Sequence, residues 1–242
     1  MEQTTQQITQ ERAQQTAQTK LFGTLNVWKN YGSKQVLKGV NFSLPLGGIV
    51  GIFGLNGSGK TTLLKILSGL DGRYRGSVMK KDFDDVAYMS VEGGYPMDMR
   101  VKDIIRFFGK FCPQQNTEKI LSSLSDAGIK EKNTLLALSS GMKQYLKFLL
   151  TVYSGASVCL FDEPFSNLDV NMREKIAKTL ILESNGNRLF LITTHELKEV
   201  ETLIDGFLIL KDGRLSAYYV GEEVRETTGK SIAQFYKEKV NG

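Results

Sequence analysis

The chain has few of the residue types that build metal sites or disulfide frameworks. Its 242 residues include two cysteines, Cys112 and Cys159, and one histidine. The cysteines lack the spacing of metal ligands, and a single histidine excludes a site built from several imidazoles. A chain of this length can bury a core without a disulfide. We therefore expect a protein of a reducing compartment such as the cytoplasm.

Long hydrophobic runs are also absent. The longest, such as Leu189–Ile192 and Phe207–Leu210, fall far short of the roughly 20 apolar residues that cross a bilayer as a helix. The first residues show no charged region followed by an apolar stretch, as a secretory signal would. We expect neither a membrane span nor a secretory signal in this chain.

The charge is mildly basic and not concentrated. The chain has 31 Lys and Arg against 26 Asp and Glu, for a net charge of +5. It contains neither a basic block nor a basic stripe with interleaved aromatic residues, so we expect no nucleic-acid partner. Hydrophobic residues at 41% and charged residues at 24% are typical of a soluble globular protein and exclude a collagen-like or wholly disordered chain.

The pattern along the chain predicts one compact unit after a polar tail. Residues 1–20 are rich in Gln and Thr and cannot bury enough surface to offset their ordering, although a polar helix docking on a partner is an alternative. Beyond them, short apolar segments alternate with helical patterns, which is typical of an α/β sheet. We predict an α/β lobe over about 21–92 and 156–220, a mostly helical insertion over about 93–155, and one C-terminal helix over about 221–240.

The predicted elements can be given by position. The strands are 21–28, 36–44, 48–53, 86–89, 158–161, 189–193 and 207–210, with a final ribbon over 214–219 that Asp212-Gly213 joins to the strand before it. The helices begin at Gly59, Val101, Thr117, Ser140, Asn171, Glu196 and Gly221.

A glycine-rich loop carries the strongest local signal. Gly54–Thr62 follows an apolar strand, opens a helix and fits the pattern G-x-x-x-x-G-K-[ST]. Glycines let successive backbone N–H groups point inward, while the helix N-terminus and Lys60 add positive charge for a polyphosphate. The hydroxyl of Thr61 can reach a Mg²⁺ ion that bridges two phosphates. The predicted phosphate-binding residues are Gly54, Asn56, Gly57, Ser58, Gly59, Lys60, Thr61 and Thr62.

Two carboxylates and the histidine follow other strands. Asp162 and Glu163 end the apolar run that begins at Val158, and His195 follows the strand Leu189–Thr193. Open α/β sheets bind ligands at this edge. Asp162 is expected to hold Mg²⁺, directly or through water, and Glu163 to act as the general base on the attacking water. His195 can donate a hydrogen bond to the γ-phosphate or to that water.

The motifs in this order resemble a known family. The segment Leu138–Gln144 opens a helix before the carboxylate strand, and Ser166–Asp169 follows that strand. With the phosphate loop and the histidine, they make residues 21–220 similar to the ATP-binding domain of ABC transporters. The resemblance implies a P-loop NTPase (RecA-like) core with an antiparallel β subdomain and an inserted α-helical signature subdomain.

The resemblance also implies a second subunit and further site residues. Family members dimerise head to tail, as homodimers or heterodimers, with ATP between one phosphate loop and the partner's signature helix. On that pattern Ser139, Ser140 and Gly141 face the ATP of the partner, and Asp169 couples the two sites. Tyr31 matches the aromatic residue that stacks on adenine.

This chain departs from the family pattern in two places. The signature has Ser140 and Met142 where the commonest pattern has glycine and glutamine. The glutamine that usually follows the central strand is missing, and its position falls on Val91, with Glu92 beside it. Glu92 is a candidate replacement on the metal side, whereas Val91 cannot bind a metal. Coupling to a membrane partner through this loop is therefore the weakest part of the resemblance.

The resemblance implies a Mg-dependent ATPase that powers transport through a separate multi-span permease. We expect the chain to lie on the cytoplasmic face of a bacterial membrane, attached through that permease. Export is favoured, because the Met-Lys-Gln signature tail is similar to that of compact exporter ATPases. A soluble ABC-type ATPase without a permease, an importer subunit and an ATP sensor with little turnover are the alternatives.

The helical insertion is also where family members contact the permease. Candidate contact residues are Tyr95, Met97, Met99, Phe107 and Phe108, but we expect Phe107 and Phe108 to pack within the insertion itself.

Overall fold

Two β-sheets form the frame of the molecule. The computed structural model describes residues 21–79, 86–91, 93–184, 186–195 and 197–241. One sheet is antiparallel, with strand order β2-β1-β4. Its strands are β1 (Leu21–Tyr31), β2 (Lys34–Pro45) and β4 (Arg75–Met79).

The second sheet is mostly parallel and carries the functional edge. Its order is β10-β8-β3-β7-β6-β5, and β9 pairs with β8. β3, β6 and β7 are buried along their whole length, which explains their continuous apolar sequences. The strands are β3 (Ile49–Phe53), β5 (Val86–Met89), β6 (Val158–Asp162), β7 (Leu189–Thr194), β8 (Gly206–Lys211), β9 (Arg214–Leu215) and β10 (Tyr219–Val220).

Seven α-helices of the described residues pack around these sheets. Ser139 and Asp169 cap two of them, because each side chain accepts a hydrogen bond from the backbone N–H three residues later. Single 3₁₀ turns occur at Leu135–Ala137 and Leu197–Glu199. The helices are α1 (Lys60–Ser68), α2 (Val101–Gly109), α3 (Thr117–Asp126), α4 (Ser140–Val152), α5 (Val170–Glu183), α6 (Gly221–Thr228) and α7 (Ile232–Asn241).

The parallel sheet has a separate hydrophobic core on each face. Leu160 of β6 packs with α1 and with the antiparallel sheet. Its neighbour Phe161 packs with residues of α2 to α7 on the opposite face. Successive side chains of a strand point to opposite faces, so one apolar strand serves both cores. The molecule is therefore layered, with the parallel sheet in the middle.

Most predicted strands are confirmed, including the hairpin at Asp212-Gly213, where Lys211 pairs with Arg214. The predicted ribbon over 214–219 is two short strands, β9 and β10. Strand β4 was not predicted, because it is an exposed edge strand without an apolar run. Its Gly76 lies so close to β1 that a Cβ would be 2.3 Å from the carbonyl oxygen of Asn26.

Three helix predictions need correction. The C-terminal segment is two helices, because Gly229 has a left-handed backbone (φ 64°) and ends α6. Glu196, the expected start of another helix, lies outside the described residues, and Leu197–Glu199 is a single 3₁₀ turn. The insertion over 93–155 carries α2, α3 and α4, but loops separate them, so it is less helical than predicted.

Phe107 and Phe108, both predicted to pack within the insertion, differ in burial. Phe108 packs against the core as expected. Phe107 is 45% exposed and contacts Phe111, which is 71% exposed, with 5.3 Å between ring centroids. The prediction is therefore confirmed for Phe108 and wrong for Phe107.

Candidate functional site

The phosphate loop joins β3 to α1 and depends on its glycines. Gly59, the residue before α1, has φ 110°, a backbone that favours glycine. A Cβ at Gly54 would lie 2.4 Å from the carbonyl oxygen of Leu210. Ser58 Oγ is buried and has no hydrogen-bond partner among the described residues. A buried hydroxyl without a partner in a glycine-rich loop can donate a hydrogen bond to a bound oxyanion.

Lys60 is buried at the start of α1, and its ammonium group lies within the loop. Nζ donates to the carbonyl oxygens of Gly54 at 2.7 Å and Leu55 at 3.3 Å. It is 3.8 Å from Oε1 of Glu163. Burial lowers the pKa of Lys60, and the negative charges of Glu163 and Asp162 partly oppose that shift. The cation is thus held beside the phosphate loop by weak partners that a phosphate can replace.

Asp162 is the last residue of β6 and is fully buried. Its Oδ1 accepts a hydrogen bond from Thr193 Oγ1 at 2.7 Å, and its Oδ2 accepts one from Tyr88 OH at 3.2 Å. These donors come from the two strands on either side of β6. The carboxylate is therefore fixed in place, and each oxygen keeps a second lone pair for another ligand.

Glu163 lies just beyond β6 in a constrained backbone conformation. Its φ of 49° is unusual for a residue other than glycine. Its N–H donates to the carbonyl oxygen of Thr193 at 3.1 Å, and its own carbonyl accepts from Gln144 Nε2 at 3.0 Å. Its carboxylate lies between two cationic or polar groups, with Oε2 3.0 Å from His195 Nδ1 and Oε1 facing Lys60. Strained backbone held by neighbours is common at functional sites.

His195 reaches this cluster from the strand end of β7. Its imidazole is partly exposed and contacts the Glu163 carboxylate directly. The structure thus brings together Lys60, Glu163 and His195, which the sequence predicted at three separate strand ends. Thr61 and Thr62, in the first turn of α1, are half-buried.

The signature segment, residues 138–144, opens α4. Ser139 Oγ accepts a hydrogen bond from the N–H of Met142 at 3.1 Å, and Ser140 is exposed. A Cβ at Gly141 would lie 3.4 Å from the side chain of Leu168, in the loop after Glu163. The segment therefore packs beside that loop.

Asp169 ends the same loop and caps α5 through a 2.9 Å bond from the N–H of Met172 to Oδ1. Ser139 and Asp169 are therefore both helix caps in this chain.

Tyr31, at the end of β1, belongs to a cluster that the sequence did not predict. Its hydroxyl donates to Asp71 Oδ2 at 3.1 Å, and the ammonium of Lys29 lies 4.6 Å from its ring centroid. Lys29 is buried and pairs with Asp71 at 2.6 Å. Burial raises the pKa of Asp71, but hydrogen bonds, first that from Lys29, outweigh it and hold the pKa below its usual value. The ring is thus covered by a cation and oriented through its hydroxyl.

A pocket of about 380 Å³ adjoins the phosphate loop. It lies between that loop, the start of β2 and the hairpin of β8 and β9. Its lining combines three lysines with residues 55–58 of the loop. The residues that line it include Lys34, Val36, Lys38, Asn56, Gly57, Ser58, Lys211 and Gly213.

A family model described as ABC transporter matches residues 37–166. A relative named as an uncharacterized ABC transporter ATP-binding protein, from Methanocaldococcus jannaschii, is 32% identical over 206 residues, which are 82% of this chain and 77% of the relative. The chain belongs to the ABC transporter ATP-binding proteins.

Two further matches show the same family and fold. The zinc import ATP-binding protein ZnuC of a Wolbachia species from Brugia malayi is 32% identical over 176 residues, 70% of this chain and 71% of that protein. A solved structure titled as the ATP binding subunit of an ABC transporter superposes with a TM-score of 0.80 at 23% identity. It covers 90% of this chain and 98% of that one.

In this ABC ATP-binding protein, the loop after β5 is where the sequence analysis places the missing glutamine. Val91, at the position of the family glutamine, is 48% exposed. Glu92, the predicted replacement, lies outside the described residues. The described residues contain no cluster of three or more His, Cys, Asp or Glu side chains suited to a metal. Over the same part of the chain, every helix is too short or too polar to span a bilayer.

Several contacts of this ABC site were not predicted from the sequence. Tyr88 and Thr193 hold Asp162, Gln144 binds the backbone of Glu163, and Lys29 with Asp71 orients Tyr31. A weak signal existed for Tyr88 and Thr193, because each is a polar side chain near the end of a buried strand. Lys29 and Asp71 have no local pattern that marks them, and the motif that contains Gln144 does not predict its bond to Glu163.

Proposed function

We propose that this ABC ATP-binding protein hydrolyses ATP to drive transport through a separate multi-span permease. The observation that carries the proposal is the position of the Glu163 carboxylate, 3.0 Å from His195 and 3.8 Å from Lys60, at the mouth of the phosphate loop. A carboxylate in that position can act on a water beside the terminal phosphate of a nucleotide bound in the loop.

The proposed mechanism follows from these positions. Backbone N–H groups of the loop, residues 54–62, and the ammonium of Lys60 would bind the β- and γ-phosphates. Glu163 orients the attacking water and accepts its proton. His195 donates from Nδ1 to the Glu163 carboxylate, and in its imidazolium form it can also donate from Nε2 to the γ-phosphate. Water attack breaks the bond between the β–γ bridging oxygen and the γ-phosphorus, giving ADP and phosphate.

The residues around the loop fit a Mg²⁺ ion. Thr61 and Asp162 offer hydroxyl and carboxylate oxygens, the ligands that Mg²⁺ prefers, and the nucleotide phosphates would supply others. Both oxygens of Asp162 keep a free lone pair beside their hydrogen bonds. When bound, Mg²⁺ neutralises charge on the β- and γ-phosphate oxygens. Glu92 remains a predicted further ligand.

A second ATP-binding subunit, identical or different, completes the proposed site. In a head-to-tail dimer, the exposed Ser139 and Ser140 and the backbone of Gly141 would face the partner's ATP. The N-terminus of α4 favours an anion there. Asp169, one loop away from Glu163, would couple the two sites. Tyr31 would stack on adenine with the ring face opposite Lys29.

The adenine contact gives a testable prediction. Replacing Tyr31 by Ala removes the stacking surface, so the KM for ATP is expected to rise about tenfold, since stacking on one base contributes about 1–3 kcal/mol. The kcat should change little, because the ring is remote from the bond that breaks. Steady-state ATPase assays measure both constants.

The Tyr31→Phe variant is the matched control. It keeps the ring but loses the hydroxyl bonded to Asp71, so its KM should stay within about threefold of the original value. An unchanged KM in Tyr31→Ala would show that Tyr31 does not contact the base.

The direction of transport has two candidates. The signature tail favours export, as the sequence predicts. Relatives named as zinc, phosphonate and sulfonate import ATP-binding proteins favour import. An importer would need an extracytoplasmic binding protein, whereas an exporter would not. Dependence of ATP turnover on such a protein therefore separates the two directions.

The experiment that tests the proposed function is isolation of the chain from its native membrane, followed by ATPase assays. A multi-span membrane protein should co-purify, and ATP should be hydrolysed with Mg²⁺ but not with EDTA. Addition of Mg²⁺ after EDTA should restore turnover. Co-purification with soluble partners alone would support the permease-free ATPase, and negligible turnover with the permease present would support the ATP sensor.

A further inference from the structure

Helix α4 connects two parts of the site that lie far apart in the sequence. Gln144 and Lys147 are three residues apart on this helix, so their side chains share one face. Gln144 Nε2 donates to the carbonyl oxygen of Glu163 at 3.0 Å. Lys147 Nζ donates to the carbonyl oxygens of Gly93 at 2.6 Å and Ser90 at 3.4 Å. The same helix face thus holds Glu163 and the loop after β5.

Gln144 contacts the backbone of Glu163, which has a constrained conformation. A residue other than glycine with φ of 49° persists only when its neighbours hold it. Thr193 holds the N–H of Glu163. The carbonyl of Glu163 accepts from Gln144 Nε2 and, at 3.2 Å, from the N–H of Ser166. Because the direction of the side chain follows from the backbone, the bond from Gln144 helps to set where the carboxylate points.

Lys147 contacts the loop after β5, in which the family glutamine is missing. The two carbonyl groups that it contacts, those of Ser90 and Gly93, flank Val91, whose side chain cannot form a hydrogen bond. Lys147 is half-buried, lines a pocket of about 180 Å³ between this loop and α4, and has its pKa lowered by burial. Its ammonium ties the loop to the helix that also binds Glu163.

We propose that Gln144 is a positioning residue for Glu163, and that Lys147 links the loop after β5 to the same helix. Together they supply, from α4, the connection between loop and site that a glutamine after β5 would otherwise provide. The proposal rests on the proposed function, in which Glu163 acts on the attacking water.

The role of Gln144 is tested with Gln144→Met, which keeps the length of the side chain and removes the donor. We expect kcat for ATP hydrolysis to fall about tenfold, since small displacements of a catalytic group cost that much or more. The KM for ATP and the melting temperature should stay near the original values. Gln144→Asn, whose amide is too short to reach, should act in the same way and serves as a second variant if Gln144→Met does not fold.

A double variant separates positioning from a general structural effect. If Gln144 acts only through Glu163, adding Gln144→Met to Glu163→Gln should lower the residual turnover no further. Original kcat in both single Gln144 variants, or a full tenfold further loss in the double variant, would overturn the proposal. Original turnover in Glu163→Gln alone would instead refute the proposed function.

The role of Lys147 is tested by hydrogen exchange of the backbone amides in residues 93–95. Exchange should be about tenfold faster in Lys147→Met, because the loop loses its tie to α4. Lys147→Arg keeps a long cationic donor and should restore slow exchange. Lys178→Met, which removes an exposed lysine from α5, is the matched control and should leave exchange unchanged. Equal exchange in Lys147→Met and the original chain would overturn this part.

Discussion

Replacing Glu163 by Gln is expected to lower kcat for ATP hydrolysis by about a thousandfold, within the range for loss of a general base. The amide has nearly the shape of the carboxylate, so it can keep the contact with His195, but it cannot accept the proton of the attacking water. The amide also leaves Lys60 and the phosphate loop in place. ATP binding should therefore persist while turnover is lost.

Turnover and binding are measured separately for this variant. Steady-state phosphate release gives kcat, and equilibrium binding of ATP gives the dissociation constant. In a head-to-tail dimer that reopens only on hydrolysis, the variant should also elute as a dimer in ATP during gel filtration. Glu226→Gln, at an exposed position of α6, is the matched control with unchanged kcat. A Glu163→Gln variant that hydrolyses ATP at the original rate would exclude Glu163 as the base.

The second large effect is expected for Lys60→Met, which should weaken ATP binding by at least about a hundredfold. Removal of one member of a buried, hydrogen-bonded charge pair costs about 2–5 kcal/mol. Lys60 Nζ bonds to the carbonyl oxygens of Gly54 and Leu55, and a phosphate would replace these neutral partners with a stronger one. Methionine fills the same space but offers no donor.

Folding should survive this substitution. Burial disfavours the charged form of Lys60 and lowers its pKa, which offsets part of the cost of leaving the carbonyl oxygens of Gly54 and Leu55 without this donor. We therefore expect a fall in the melting temperature but a folded protein. Isothermal titration with ATP measures the affinity, and Lys237→Met, at an exposed position of α7, is the control. ATP binding of original strength in a folded Lys60→Met protein would refute the assignment of the phosphate site.

The lowered pKa of Lys60 also gives the sign of a pH effect on ATP binding. The cationic form binds the phosphates, so affinity depends on the protonation of Lys60. It should weaken as the pH rises through the pKa of Lys60, below the value for an exposed lysine. Lys60→Met should show no such step.

The sequence predicted the parts of the fold and site that depend on local pattern. Mostly apolar runs identified β3, β6 and β7, because a strand buried on both faces has few polar positions. Strand β4 was not predicted, because it is an exposed edge strand whose sequence contains no apolar run. Lys60 and Glu163 were predicted because a loop motif and strand ends are visible in a short window.

The contacts that orient these residues were not visible in the same way. Tyr88 and Asp162 are bonded across a separation of 74 residues, and Lys29 and Asp71 across 42. Such pairs depend on strand order and on packing between layers, which local periodicity does not contain. In the sequence, Gln144 is visible only as part of a motif. Its bond to Glu163 forms because α4 packs against the end of β6.

The two separate cores of the parallel sheet have a consequence for movement. Lys60 and α1 pack on one face, whereas α4 and α5 pack on the other. A tilt of α4 and α5 would change the packing on one face of the sheet only. It would leave α1, and the phosphate loop that precedes it, in place. The strand end at Glu163, which accepts a hydrogen bond from Gln144 of α4, is where such a tilt would reach the site.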